Sequence, residues 1–148
     1  MAEAIQLARR GLYTATPNPC VGCVLVNNEK IVGRGWHVKA GDGHAEVNAI
    51  TDAGSLAKGA TAYISLEPCS FSGRTGACSD ALQAAGVVRV VSAMEDPNPK
   101  VSGQGNALLR EAGLDVSSGL MATEAAALNR GFIKRMQKQL PFVSCKMA

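Results

Sequence analysis

"TAYISLEPCSFSGRTGACSDALQAAGVVRVVSAM", residues 61–94, runs from an apolar stretch through a polar, Gly-containing loop into a helix-length segment closed by Gly86, then back to an apolar stretch. TAYISL and VRVVSAM read as strands, and the segment from about Cys78 to Ala85 reads as a helix that stops at its glycine. The result is a strand-to-helix-to-strand unit whose loop carries two cysteines, Cys69 and Cys78.

Working outward, the same alternation continues. A helix from about His44 to Ala53 precedes the unit, and "GQGNALLREAG" (103–113) and "LDVSSGL" (114–120) follow it as helix and strand. Near the start, "AEAIQLARRGL" places Ile5, Ala8 and Leu12 at helical spacing and the helix is expected to end at Gly11, since "TATPNP" is too rich in Pro and Thr to prolong it. "VGCVLV" and "KIVGRGW" flank Asn27, Asn28 and Glu29, which predicts an antiparallel hairpin. "TEAAALNRGFIKRMQKQ" (123–139) reads as one long last helix with Thr123 as its candidate cap, and "LPFVSCKMA" (140–148) alternates like the start of a strand. The fold class is α/β, a mixed sheet of about five strands with helices on both faces.

Composition narrows the function. With 148 residues, 47% of them hydrophobic, the chain suits one domain with one sizeable core. No run of about 18 apolar residues is present, and Glu3, Arg9 and Arg10 interrupt the start where a signal peptide needs an apolar stretch, so a soluble cytoplasmic protein is expected, with no membrane partner. A net charge of +3 from interspersed acids and bases is too weak for a nucleic-acid footprint. The run Arg130, Lys134 and Lys138, spaced by four on the last helix, is expected to be a solvated face.

The five cysteines are odd in number and irregularly spaced, which argues against a disulfide framework and leaves metal binding, catalysis or core packing. Cys20 and Cys23, three apart at a strand, would point to opposite faces and are expected to be packing residues; Cys145, in the last apolar run, is expected to be structural too. His44, Cys69 and Cys78 all fall at the ends of elements. A catalytic zinc takes three protein ligands and keeps a fourth position for water, whereas a structural zinc needs a fourth ligand, which Cys20 or Cys23 could supply. Glu46, two residues after His44, is placed to move a proton to or from such a water. The order His44-Ala45-Glu46, then Pro68-Cys69, then a second cysteine is that of the zinc nucleobase deaminases, although eight residues separate the two cysteines where that signature has two.

With that longer loop and its Gly-Arg-Thr core, the chain resembles the deaminase domains of the bifunctional riboflavin-biosynthesis proteins, in the cytidine and deoxycytidylate deaminase superfamily. "TPNPCVGCVLV", "GHAEVNAI", "GATAYISLEPCSFSGRTGAC", "DPNPK" and "LNRGFIKRM" carry the resemblance along nearly the whole chain. It implies a three-layer α/β/α cytidine deaminase-like fold. It also implies hydrolytic deamination of diaminohydroxyphosphoribosylaminopyrimidine to the amino-uracil ribosyl phosphate and ammonia. The implied cofactor is Zn2+ on His44, Cys69 and Cys78, with Glu46 as the catalytic proton carrier.

Asn18, His37 and Asn98 match family positions near the pyrimidine and ribose. Arg74 is the phosphate candidate, since a guanidinium can grip a phosphate through two N–H groups; Lys100 is a second choice. The chain departs from the family at Phe71 and Ser72, where histidine is common. The resemblance assigns residues 1–140 to the deaminase domain and 141–148 to a strand or linker leading to an NADPH-using reductase. No G-x-G-x-x-G follows a strand here, so no nicotinamide binding is expected of this chain. A homo-oligomer, and a reductase domain fused or acting in trans, are the expected partners. The alternatives are another deaminase of the same fold, acting on tRNA adenosine, cytidine or guanine, and a structural zinc module.

Overall fold

Asn28 and Glu29 both adopt positive φ, 48° and 62°, and this two-residue turn joins β1 (Gly22–Asn27) to β2 (Lys30–Trp36) as the expected antiparallel hairpin. The computed structural model describes residues 1–70, 76–99 and 101–147. Ahead of the hairpin lies α1 (Ala2–Ala8), prolonged by one tighter turn to Gly11. After it come α2 (Ala45–Ala53), β3 (Thr61–Ile64), α3 (Cys78–Ala84), β4 (Arg89–Ser92), α4 (Gln104–Glu111), β5 (Asp115–Ser118), α5 (Ala122–Leu128) and α6 (Arg130–Lys138).

The five strands form one sheet in the order β2-β1-β3-β4-β5. β1 is antiparallel to both β2 and β3, while β3, β4 and β5 run parallel. Parallel neighbours need crossover connections, which α3 and α4 supply. Residues two apart on a strand share a face, so Cys23 and Leu25 of β1 join Ala62 and Ile64 of β3 and Val90 of β4 in the main core, beneath Ala45 and Ala49 of α2, Leu82 of α3 and Leu109 of α4. Val24 points the other way, onto Ala4 and Leu7 of α1, and Ile5 of α1 meets Ala125 of α5 on that side. Three layers result, as expected. Leu25, Ile64, Leu82, Val90 and Leu109 are fully buried, and each contributes roughly 1.5–3 kcal/mol through burial.

Glycines set how closely helices approach the hairpin. A Cβ on Gly33 or Gly35 would lie 2.3 Å from the Ala49 carbonyl oxygen or 2.2 Å from that of Ala45. Helix α2, with Ala45, Ala49 and Ala53 at spacings of four, therefore lies directly on the backbone of β2, which fixes the position of its first turn.

The structure corrects the carboxy-terminal expectations. The long last helix is broken at Asn129 (φ −108°, ψ 22°) into α5 and α6. Asn129 is buried: its Oδ1 accepts from the Cys20 N–H at 2.8 Å and its Nδ2 donates to the Cys20 carbonyl at 2.9 Å. That two-pronged grip on a remote backbone turns the chain where periodicity alone continues the helix. Thr123 is not the cap, since α5 begins at Ala122 and Met121 (φ 60°) occupies the capping position. Residues 140–147 form no strand, and Cys145 is exposed rather than packed. Cys20 and Cys23 are buried packing residues in separate clusters, as expected.

Candidate active site

His44 caps α2 with extended backbone (ψ 164°), Cys69 follows β3 by way of Glu67 and Pro68, and Cys78 is the first residue of α3. Since α2 lies on β2 through glycine and α3 returns over the same face, the three meet. His44 Nδ1 is 3.1 Å from Cys78 Sγ and 3.6 Å from Cys69 Sγ, and all three donor atoms lie within 4.8 Å of one another. A tetrahedral zinc with Zn–S of about 2.3 Å and Zn–N of about 2.0 Å separates N from S by about 3.5 Å, close to both distances found here, so the set suits zinc. Neither Cys20 nor Cys23 belongs to this group, which leaves three protein donors among the described residues, the number a catalytic zinc uses.

The thiols are prepared for a cation. Hydrogen bonding from the Cys78 thiol, and then from His44 and the Cys78 backbone N–H at 3.2 Å, lowers the Cys69 thiol to about 4. The resulting thiolate, together with burial, pushes Cys78 upward, and hydrogen bonding to Cys69 raises His44. This environment favours the thiolate form of Cys69, the form that binds a metal. Glu46, in the first turn of α2, is buried, and burial lifts its carboxyl to about 7. A carboxyl near neutrality can both take and give a proton.

His44, Glu46 and Cys69 open into a cavity of about 620 Å³ that also receives Asn18, His37 and Asn98, with Cys78 buried behind it. His37, just beyond β2, is buried; its Nδ1 lies 3.2 Å from the Gly43 carbonyl and its Nε2 lies 3.0 Å from Asn18 Nδ2. The His37 and His44 rings meet edge to face at 5.4 Å. Arg74, Lys100, Phe71 and Ser72 lie outside the described residues.

Several residues of the cavity escaped sequence reasoning. Asp96, in the same "DPNPK" as Asn98, lines it and accepts the Asn98 N–H at 2.8 Å; burial raises its carboxyl. Glu67 accepts from the backbone N–H groups of Asp96 (3.0 Å), Gly103 (2.9 Å) and Asn106 (3.1 Å), so one buried carboxylate ties the loop bearing Asn98 to the strand end bearing Cys69. Phe132, Arg135 and Met136 of α6 form a further wall. Their spacing of three and four was visible, but no local signal said which face of α6 met a cavity.

The family model for the cytidine and deoxycytidylate deaminase zinc-binding region matches residues 1–94, which include His44, Glu46, Cys69 and Cys78. The chain belongs to this deaminase family. The riboflavin biosynthesis protein RibD of Escherichia coli K12 is 57% identical over 147 residues, covering 99% of this chain and 40% of that protein. The diaminohydroxyphosphoribosylamino-pyrimidine deaminase of Buchnera aphidicola subsp. Schizaphis graminum is 52% identical over 141 residues, covering 95% of this chain and 96% of that one. Among solved structures, Acinetobacter baumannii RibD superposes with a TM-score of 0.93 at 50% identity, over 95% of this chain and 40% of its own. The chain therefore spans about 40% of the length of the E. coli and A. baumannii relatives, and it has the family's cytidine deaminase-like fold, with His44, Cys69 and Cys78 positioned to bind the family's zinc. No helix among the described residues is long and apolar enough to cross a membrane.

Proposed function

We propose that the chain catalyses hydrolytic deamination of diaminohydroxyphosphoribosylaminopyrimidine, releasing ammonia and leaving the amino-uracil ribosyl phosphate, an early reaction of riboflavin biosynthesis. The observation that carries this is the 52% identity to the Buchnera deaminase over nearly the full length of both chains. The cavity is consistent with it, since polar groups suited to a pyrimidine lie beside the proposed metal centre.

In this proposal His44, Cys69 and Cys78 hold zinc. When bound, zinc supplies a water acidified towards neutral pH as the nucleophile for the amino-bearing ring carbon. Glu46 takes a proton as the new carbon–oxygen bond forms, gives it to the adjacent ring nitrogen, and carries another to the departing amino group. The exchange balances: water adds, ammonia leaves, and a carbonyl replaces the amino-substituted carbon. Glu46 has the right environment, because burial holds its carboxyl at about 7. Asn18, His37 and Asn98 contact the pyrimidine and ribose, and Arg74 is assigned to the substrate phosphate on resemblance. A homo-oligomer, cytoplasmic location, and a reductase fused or in trans that consumes the product belong to the same proposal.

The test is ammonia release from diaminohydroxyphosphoribosylaminopyrimidine, beside cytidine and an adenosine-containing RNA. Turnover of the first alone, lost in Glu46→Gln, is expected. Turnover of either competitor in preference to it would replace the assigned substrate.

A further inference from the structure

Four carboxylates, Asp42, Glu46, Glu67 and Asp96, line the cavity, and Arg135 is the single lysine or arginine among its described lining residues. A cation in the wall of a cavity lined by acidic groups is the place among the described residues to which the phosphate of a substrate is drawn. Arg135 is held there from two sides. Its Nη2 donates to the Pro17 carbonyl, next to Asn18, and its guanidinium carbon lies 5.6 Å from the centre of the Phe132 ring, within reach of a cation–π contact. Phe132, Arg135 and Met136 sit at i, i+3 and i+4 on α6, so this face of the helix turns to the cavity while Lys134 and Lys138 lie on the other groove, beside Phe142.

We propose that Arg135 is a further specificity-determining residue, which binds the phosphate of the substrate from the side of the cavity formed by α6. A guanidinium presents five N–H donors in a planar fork, so one nitrogen can stay on the Pro17 carbonyl while the other edge grips two phosphate oxygens. The contact also couples recognition to the ring site: the Pro17 carbonyl that orients Arg135 belongs to the same loop as Asn18, whose amide meets His37. Arg135 touches substrate far from the reacting carbon and takes no part in proton transfer. This inference rests on the deaminase assignment above, and adds to it a residue on a helix that lies beyond the region matched by the family model.

The test compares kcat/KM for diaminohydroxyphosphoribosylaminopyrimidine and for its dephosphorylated riboside in the full chain, in R135A and in R135K. The wild type should favour the phosphorylated compound. R135A should lower that preference by roughly tenfold to a hundredfold, the scale of a lost charge-assisted hydrogen bond, with the change carried mainly by KM. R135K should recover part of it, because an ammonium keeps the charge without the fork. Inhibition by ribose 5-phosphate gives a readout independent of riboside turnover, and it should weaken by a similar factor in R135A. Equal losses on both compounds would assign Arg135 to holding the Pro17 loop and overturn the proposal, as would an unaltered preference. Wild-type inactivity on both compounds would remove the deaminase assignment, and the phosphate role with it.

Discussion

His37 accepts a hydrogen bond at Nε2 from the Asn18 side-chain amide, 3.0 Å away, because its other ring nitrogen is already committed as a donor to the Gly43 carbonyl at 3.2 Å. A carbonyl can only accept, so Nδ1 carries the proton, and burial lowers the ring's affinity for a second one. The ring is neutral and fixed in one tautomer. Nitrogen-15 NMR of the labelled protein should show His37 as the neutral Nδ1–H form at pH 7, and the Nε2–H form would contradict the assignment. Asn18→Asp places a carboxylate opposite the accepting nitrogen. His37 should then take up a proton more readily, and kcat/KM should fall by roughly tenfold to a hundredfold.

Glu46 links chemistry to stability. In the zinc-free protein its carboxyl sits at about 7 against 4.5 for the free group, chiefly through burial. Between these values the folded chain retains a proton that the unfolded chain has lost, so stability falls as pH rises across that window. Above it the cost levels off at about 3 kcal/mol. Glu46→Gln removes this dependence. Zinc-free E46Q should resist urea better than the zinc-free wild type at pH 8, with the advantage shrinking towards pH 5. Zinc-loaded E46Q should keep its metal and lose turnover by about 10²–10⁴-fold. Parallel pH profiles for the two zinc-free proteins would argue against the buried charge.

Chelation offers a direct check of the metal centre. A tight zinc chelator should abolish ammonia release, and added Zn2+ should restore it. Cys69→Ser and Cys78→Ser should each lower the zinc content measured by atomic absorption, since a hydroxyl does not replace a thiolate donor. Full metal content in both variants would move the site elsewhere.

Glu67→Ala should uncouple the loop that bears Asn98. It leaves the backbone N–H groups of Asp96, Gly103 and Asn106 without their acceptor, with an expected loss of about 2–4 kcal/mol in urea unfolding. Glu67→Gln keeps the shape but turns an amide nitrogen towards one set of donors, and should fall between. Equal stability of all three proteins would show that water takes over the carboxylate's role.

Gly105→Ala probes the contact between α4 and the cysteine-bearing strand end. A Cβ at Gly105 would sit 1.9 Å from the Pro68 carbonyl oxygen, a backbone atom that can yield only by moving the segment next to Cys69. Destabilisation of about 1–3 kcal/mol and faster zinc release to a chelator are expected. Wild-type release kinetics would mean that α4 shifts and the metal loop does not.

The alternation of strand and helix, the hairpin turn and the zinc set were legible because each is a local pattern: periodicity, turn residues, and ligand types at element ends. His44, Glu46, Cys69 and Cys78 are side chains whose chemistry announces itself. Glu67 and Asn129 were not legible, because their function lies in bonds to backbone groups of Asp96, Gly103, Asn106 and Cys20, and no pattern in the sequence records those distances. The same cause hid the break between α5 and α6. Arg135 was hidden for another reason: on an exposed helix rich in basic residues it looks like its solvated neighbours until the fold shows which face meets the cavity.

The matched region ends at residue 94, and the division has meaning for how such a protein can change. The candidate metal ligands and Glu46 lie before it, whereas Asn98, Phe132, Arg135 and Met136 of the cavity wall lie after it. The wall of the cavity is thus shared between two consecutive stretches of one chain, with the candidate metal and proton chemistry confined to the first. Substitutions in the later stretch can reshape one wall of the cavity without touching His44, Glu46, Cys69 or Cys78, which gives a library confined to residues 95–138 a natural boundary for changing what the cavity accepts.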